Sequence, residues 1–340
     1  MTLDLNTIWF LLVGVLLTGY AVLDGFDLGV GALHLFTKTD HERRIMLNSI
    51  GPVWDGNEVW LVTGGGALFA AFPDVYATSF SGFYLAFILL LVALIFRAVA
   101  IDFRSKRGSQ RWRQTWDVSF SISSIVSSLL IGVALGNIVL GLPLTPEFEY
   151  PGGLLGLLRP YPVVVGLTIM ALFAMHGAIY VVMKSEGELQ ARIRSWVPRL
   201  IGLFVVGYVV TTALTLVFIP HMTTTLREEP VLLIVPALSV LAIANIPREI
   251  HRGRDFRAFL SSCATMVLLM ALFGIGMYPD MIYSSPNPEY SLTIYNAASS
   301  VKTQQIMLII AVIGMPIVLA YTISIYWIFR GKVKLDAHSY

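Results

Sequence analysis

Four carboxylates and one guanidinium stand inside stretches of sequence that are otherwise apolar. Asp24 and Asp27 occur in YAVLDGFDLGVG, Asp55 and Glu58 occur in GPVWDGNEVWLVTGGG, and Arg97 interrupts FILLLVALIFRAVA. Within each acidic pair the spacing is three residues, which places both side chains on one helix face with Cβ atoms about 5–6 Å apart. Two carboxylates this close resist simultaneous ionisation, so they can hold and release a proton as a proton relay requires.

The same side chains allow a purely structural interpretation. Buried acids can pair with Arg97 or bind backbone groups, and so hold helices in register. An ionised carboxylate at the bilayer centre costs about 2.5–3.5 kcal/mol, so the acidic faces must meet protein or water and not lipid. The residues alone leave structural pairing and a proton or cation path equally open.

The composition places these charges in a membrane protein. Hydrophobic residues make up 56% of the 340 positions and charged residues only 13%, and the mean hydropathy is +0.75, whereas a soluble domain carries about 25% charged residues. The net charge of +2 is too small, and the basic residues too dispersed, for nucleic-acid binding. Cys263 is the single cysteine, which excludes an internal disulfide and any cysteine-based metal or iron–sulfur site.

Nine segments are long and apolar enough to cross a bilayer, which takes roughly 20 apolar residues per helix. They are residues 8–36, 51–72, 77–101, 118–141, 160–183, 200–219, 230–247, 256–278 and 305–329, of which the second and seventh are the weakest. Of the 23 Lys and Arg residues, only Arg159, Arg227 and Lys302 fall in the even-numbered connections, and Arg97 lies within the third span. The positive-inside rule therefore predicts an outer amino terminus and a cytoplasmic carboxyl terminus. We predict a single all-α transmembrane domain over residues 1–340, with an ordered, turn-rich outer loop at 279–304.

The histidines and glycines favour helix packing over ligand binding. Among six histidines only His34 and His176 lie within or near the ends of spans, and neither has an obvious axial partner, so the sequence disfavours haem ligation by this chain. We expect His176 to hydrogen-bond to a neighbouring helix. The glycines at 64–66 and the pair Gly132/Gly136 predict close approach between helices.

Motifs along most of the chain resemble subunit II of the cytochrome bd quinol oxidases. The resemblance rests on DGFDLGVG at 24–31, ERRIMLNSIGPVWDGNEVWLVTGGGALFAAFP at 42–73 and FSGFYLAFILLLVALIFRAVAIDFRSK at 80–106. It continues through RWRQTWD at 111–117, GVALGN at 132–137 and SLTIYNAASS at 291–300. The second block is the most specific of these motifs.

This resemblance implies a function that composition does not reveal. Such oxidases transfer electrons from ubiquinol or menaquinol to oxygen, form water and contribute to the proton gradient across the prokaryotic cytoplasmic membrane. Subunit I binds two haems of b type and one of d type and oxidises the quinol, and subunit II ligates none of them. Subunit II, embedded in membrane lipid, has nine helices and packs against subunit I in a pseudosymmetric heterodimer. Small single-span subunits are common, and some members hold a structural quinone in subunit II.

The resemblance also implies a role for the acidic residues, because subunit II is thought to supply part of a proton route from the cytoplasm to the oxygen-reducing haem. The motif assigns the role of proton relay to Asp55. We expect this residue at the cytoplasmic start of the second span, facing the subunit interface. Asp24, Asp27 and Glu58 are candidate relay or pairing groups, and Arg97 is the candidate charge partner. The alternatives are a purely scaffolding subunit and a proton-coupled secondary transporter, although the sequence has no clear internal repeat of the kind that such transporters contain.

Overall fold

The chain is described by a computed structural model over residues 4–285 and 287–335, and within these residues it forms thirteen α-helices and one short antiparallel sheet. The helices are α1 (Leu5–Leu33), α2 (Asp40–Ile50), α3 (Trp54–Ala71), α4 (Pro73–Gly82), α5 (Tyr84–Phe103), α6 (Gln110–Leu140), α7 (Leu154–Leu157), α8 (Pro160–Lys184), α9 (Gly187–Phe218), α10 (His221–Glu228), α11 (Ile234–His251), α12 (Asp255–Met277) and α13 (Val301–Ile328). Strands β1 (Asp280–Ile282) and β2 (Leu292–Thr293) pair in the loop before α13. The prediction of an ordered, turn-rich loop is confirmed, while its position on the outer side stays a prediction.

Eight of the described helices are long and apolar enough to cross a membrane, and they correspond to predicted spans one and three to nine. The second predicted span coincides with α3, whose 18 residues are less apolar because Asp55, Asn57 and Glu58 lie in its first two turns. The all-α membrane fold is therefore confirmed. The count of nine crossings stays a prediction.

Several helix boundaries differ from the predicted spans. Helices α6 and α9 begin well before residues 118 and 200, because their first turns are polar and a search for apolar segments does not detect them. The predicted span at 77–101 is divided into α4 and α5 at Phe83. Residues 37–50, which we predicted only as a connection, contain α2, which begins with a capping box formed by Thr39 and Glu42.

Contacts between the connecting segments gather at two ends of the helix bundle. At the end rich in Lys and Arg, the contacts are Arg104–Asp40, Arg192–Glu42 and Val333–Lys184. At the other end, the backbone N–H of Leu142 donates to the carbonyl of Tyr283, and that of Ser299 donates to the carbonyl of Ala71. This grouping of alternate connections agrees with the predicted arrangement, while its orientation in the membrane stays a prediction.

Helix α8 lies at the centre of the bundle, packed against α1, α6 and α9. A Cβ atom added at Gly132 of α6 would lie 2.6 Å from the Cα atom of Gly166, and one added at Gly136 would lie 2.6 Å from the Cα atom of Pro162. The backbones of α6 and α8 therefore touch, and the predicted close approach at this glycine pair is confirmed.

The three glycines of α3 do not all pack in the same way. Gly64 lies against the side chain of Leu17, whereas added Cβ atoms at Gly65 and Gly66 would meet no described atom within 4 Å. The prediction of close helix approach therefore holds inside this chain for Gly64, whereas Gly65 and Gly66 face away from the described residues and for them it stays a prediction.

Candidate functional site

Asp24 of α1 and Arg97 of α5 form an ion pair in which both side chains are fully buried. Nη1 of Arg97 donates to Oδ2 of Asp24 at 2.8 Å and Nη2 donates to Oδ1, so the guanidinium binds both carboxylate oxygens side by side. Arg97 avoids lipid because it belongs to the buried strip of α5, whose members are Ala93, Leu94, Arg97, Ala100 and Ile101. This geometry corresponds to the structural pairing that the sequence allowed.

Asp27, one turn further along α1, belongs to a different polar chain. Nδ2 of Asn57 donates to Oδ2 of Asp27 at 2.7 Å, and the hydroxyl of Tyr326 donates to Oδ1 of Asn57 at 2.8 Å. Asp27 is 0% exposed and Asn57 is 2% exposed. Because the amide oxygen of Asn57 accepts the hydrogen bond from Tyr326, the amide nitrogen on the other side of the group points toward the carboxyl group of Asp27. Three helices that are distant in sequence, α1, α3 and α13, thus meet at one buried carboxyl group.

The second acidic pair lies nearer the surface, at the start of α3. Asp55 is exposed in the first turn, where a negative charge is favourable beside the helix N-terminus. Glu58 is half-buried and interacts electrostatically with Asp55 on one side and with Asp24 and Arg97 on the other. The structure therefore does not gather the four acids into one cluster, but distributes them from an exposed Asp55 to the buried pair on α1.

A further ionic cluster, which the sequence did not indicate, surrounds Asp117 of α6. Oδ1 of this buried carboxylate lies 2.6 Å from Nε of Arg104 and 2.6 Å from Nε2 of His34, and Oδ2 accepts from Arg43 at 3.0 Å. Arg104 also donates to Asp40 at 2.6 Å. The cluster ties α2 and α6 to the turns that directly follow α1 and α5, at the end of the bundle that is rich in Lys and Arg.

His176 of α8 is fully buried, and both its ring nitrogens are within hydrogen-bond distance of neighbouring helices. Nδ1 lies 2.7 Å from the hydroxyl of Ser262, and Nε2 lies 3.0 Å from the carbonyl of Val22. The predicted bond to a neighbouring helix is confirmed. With both nitrogens occupied, His176 does not fit the role of an axial haem ligand, and no group of three or more His, Cys, Asp or Glu side chains in 4–285 and 287–335 is arranged to hold a metal ion.

Sequence comparison decides which family this helical bundle represents. The model of the family described as cytochrome bd terminal oxidase subunit II matches residues 5–329. The chain belongs to this family. It is 40% identical to "Cytochrome bd-I ubiquinol oxidase subunit 2" of Escherichia coli (strain K12), over 98% of this chain and 96% of that protein. It is 33% identical to "Cytochrome bd ubiquinol oxidase subunit 2" of Bacillus subtilis (strain 168), over 97% of each chain.

The fold agrees with this assignment to the subunit II family. A chain of the bd oxidase from Geobacillus thermodenitrificans superimposes with a TM-score of 0.79 at 17% identity, covering 96% of this chain and 98% of that chain. The predicted family and the predicted all-α membrane fold are thus confirmed. Membership makes the chain a multi-pass component of the prokaryotic cytoplasmic membrane, belonging to a respiratory oxidase complex with a subunit I partner.

Proposed function

We propose that the chain supports subunit I of a cytochrome bd-type quinol:oxygen oxidoreductase and supplies carboxylates to a proton route from the cytoplasm to the oxygen-reducing haem. In this proposal subunit I binds two haems b and one haem d and oxidises ubiquinol or menaquinol. Small single-span subunits complete the complex. Protons taken from the cytoplasm, with electrons entering from quinol oxidised near the outer side, make each turnover electrogenic.

The observation that carries this proposal is the gradation of burial among the acids. Asp55 is exposed, Glu58 is half-buried, and Asp24 is fully buried against Arg97. A carboxylate at the surface can collect protons, and one behind it can pass them on when the two are joined by a hydrogen bond of about 2.6–3.2 Å or by one bridging water. Because Arg97 neutralises Asp24, the groups left to carry a proton from the surface are Asp55 and Glu58.

The ion pair itself favours a second role, that of a scaffold. Breaking a buried pair is strongly destabilising, so Asp24 and Arg97 hold α1 to α5 whether or not protons pass nearby. The two roles differ in the residue on which they depend. Proton transfer depends on Asp55, which makes no ion pair in the described part of the chain, whereas the scaffold depends on Arg97.

The Asp55→Asn variant of the assembled oxidase separates these roles. Removing a proton-transfer group typically slows a reaction by about 10²–10⁴-fold, so we expect oxygen consumption and charge movement in proteoliposomes to fall together while the haem spectra stay normal. The matched control is Asp74→Asn, which removes an exposed carboxylate from the first turn of α4. Unchanged oxygen consumption and charge movement in Asp55→Asn would remove the relay role, and loss of haem would assign the residue to assembly.

A further inference from the structure

The tail segment, residues 329–334, follows α13 and folds back over the end of α8. The backbone N–H of Val333 donates to the carbonyl of Lys184 at 2.9 Å, which holds the tail segment against the central helix of the bundle. A cavity of about 330 Å³ lies between the tail segment, the end of α8 and the turn that joins α2 to α3. This volume is at the small end of the roughly 300–1,000 Å³ range of ligand pockets.

Two lysines that line the cavity bind the ends of α8 and α13 reciprocally. The ammonium group of Lys184, at the end of α8, donates to the carbonyls of Phe329 and Gly331, which follow α13. The ammonium group of Lys332, in the tail segment, donates to the carbonyl of Ser185 at 2.8 Å and to a carbonyl in the last turn of α8 at 3.4 Å. Carbonyls at the end of a helix have no intrahelical partner, so both lysines have a structural role.

This structural role does not balance the charges around the cavity. The only described charged group that acts on Lys184 is another cation, Lys332. A helix C-terminus carries about half a negative elementary charge, so the ends of α8 and α13 together offset about one of the two ammonium charges. Lys334 also lines the cavity and adds a third positive charge. The cavity is therefore left with a positive excess, which an anion would neutralise.

The two ammonium groups also have hydrogen-bonding capacity left. An ammonium group has three N–H donors, and Lys184 and Lys332 each use two of them on carbonyl oxygens of the described chain. Lys184 is 6% exposed, so leaving its remaining donor without an acceptor is costly. The ring of Tyr180 lies 5.8 Å from Nζ of Lys184 and attracts the cation, but it leaves the net charge of the cavity unchanged. The remaining donors suit one oxyanion that bridges both lysines.

We propose that this cavity binds a phosphate group between the ammonium groups of Lys184 and Lys332. Lysine binds phosphate as a point charge, with N–O distances of about 2.7–2.9 Å. Basic pockets between helices on the cytoplasmic side of membrane proteins bind phospholipid head groups. The phosphate is either inorganic phosphate or the phosphodiester of an anionic lipid, and in both cases it fastens the tail segment to α8. The site is independent of the proposed proton route, because it uses neither Asp55 nor the acids of α1.

Equilibrium dialysis of the intact, delipidated complex against radioactive inorganic phosphate tests the first source. Chloride keeps the ionic strength constant, so that screening of surface charge does not change between samples. We expect saturable binding in the wild type and about tenfold or weaker binding in Lys332→Gln, which removes a charge-assisted hydrogen bond. Lys332→Arg keeps the charge and should retain most of the binding. The matched control is Lys106→Gln, which removes an exposed lysine outside the cavity at the same end of the bundle.

Reconstitution into lipid nanodiscs tests the second source. The complex is placed in phosphatidylcholine discs with or without phosphatidylglycerol, and native mass spectrometry measures the phosphatidylglycerol that it retains. We expect retention in the wild type and in Lys106→Gln, and about a tenfold smaller retained fraction in Lys332→Gln. Retention without binding of inorganic phosphate identifies the lipid as the source, and saturable phosphate binding without retention identifies the free anion. Unchanged haem spectra and oxygen consumption in each variant show that the complex is intact.

Three results would overturn the phosphate site. The first is a wild-type complex that neither binds inorganic phosphate nor retains phosphatidylglycerol. The second is an equal loss of binding in Lys332→Gln and Lys106→Gln, which would assign the binding to general surface charge. The third concerns Asp336, which lies outside the described residues: binding that appears only in Asp336→Asn would show that a carboxylate of this chain neutralises the lysines.

Discussion

Replacing Arg97 by Met tests how strongly the buried ion pair stabilises the helix bundle. Met retains an apolar side chain of comparable length, so the change removes the charge and leaves little cavity. Both partners are 0% exposed, and removing Arg97 leaves the buried carboxylate of Asp24 without the cation that neutralises it. Such a loss typically costs about 3–5 kcal/mol in free energy of unfolding, or roughly two to three and a half orders of magnitude in the equilibrium constant.

The assay is unfolding of the purified heterodimer in mixed detergent micelles, followed by circular dichroism and by the haem absorption bands. A double variant, Asp24→Leu with Arg97→Met, should regain most of the lost stability, because well-packed apolar residues often replace a buried pair without penalty. The control is Arg113→Met, since Arg113 pairs with Asp40 at 3.3 Å where the side chains are 38% and 47% exposed. Exposed pairs contribute about 0–1 kcal/mol.

Two results would refute this reasoning. If Arg97→Met were destabilised no more than Arg113→Met, and the complex kept normal haem spectra, the pair would not hold the bundle together. If the double variant were as unstable as the sum of the two single variants, Asp24 and Arg97 would act independently, and their bidentate contact would carry no coupling energy.

Three further predictions concern the ends and the centre of the bundle. Burial raises the pKa of Glu42, but hydrogen bonds from two backbone N–H groups and from Arg192 outweigh this effect and hold the pKa below its ordinary value. The contribution of Glu42 to stability is therefore lost as the pH falls through that lowered pKa. We expect the unfolding of Glu42→Gln to lack this acid-dependent step. Burial raises the pKa of Asp280 to about 6, so its contribution to stability is present at lower pH and lost as the pH rises through 6. Proteolysis of the loop between α12 and α13 should follow this dependence in the wild type and not in Asp280→Asn. Gly136→Leu should prevent α6 from packing on α8 and reduce the yield of assembled complex, whereas Gly202→Leu, on a face with no described atom within 4 Å, should be tolerated.

The membrane-spanning helices could be predicted from the sequence because hydropathy and the distribution of Lys and Arg both report on the bilayer. The segments that were missed or shortened are polar. Helix α2 and the first turns of α6 and α9 lie at the ends of the bundle, where ion pairs such as Arg192–Glu42 stabilise helical structure without apolar periodicity. A prediction based on the free energy of transfer to lipid does not detect these polar helical segments.

The candidate site was only partly predictable for a different reason. The sequence indicates that Arg97 needs an acidic partner, but Asp24 and Asp27 lie one turn apart on the same helix face, so only the fold selects Asp24, 73 residues away. Asn57 was overlooked because it carries no charge, although it stands within the most specific motif. Tyr326 has no sequence signal, since α13 is apolar on all sides and the bond to Asn57 spans 269 residues.

The contrast between α1 and α3 has a consequence for assembly. The buried charge of Asp24 is balanced within the chain, whereas the first turn of α3 presents Asp55 on a surface that also exposes Val59 and Val62. At the bilayer centre an ionised carboxylate costs about 2.5–3.5 kcal/mol, which several apolar residues at about −0.3 to −0.6 kcal/mol each would be needed to offset, so Asp55 in the first turn of α3 is favoured near the membrane surface. Glycines at 65 and 66, which have no close neighbour among the described residues, would let the backbone of another helix approach this face. We therefore propose that α3 places Asp55 where the helix meets cytoplasmic water and subunit I, which is the position that a proton route shared between two subunits requires.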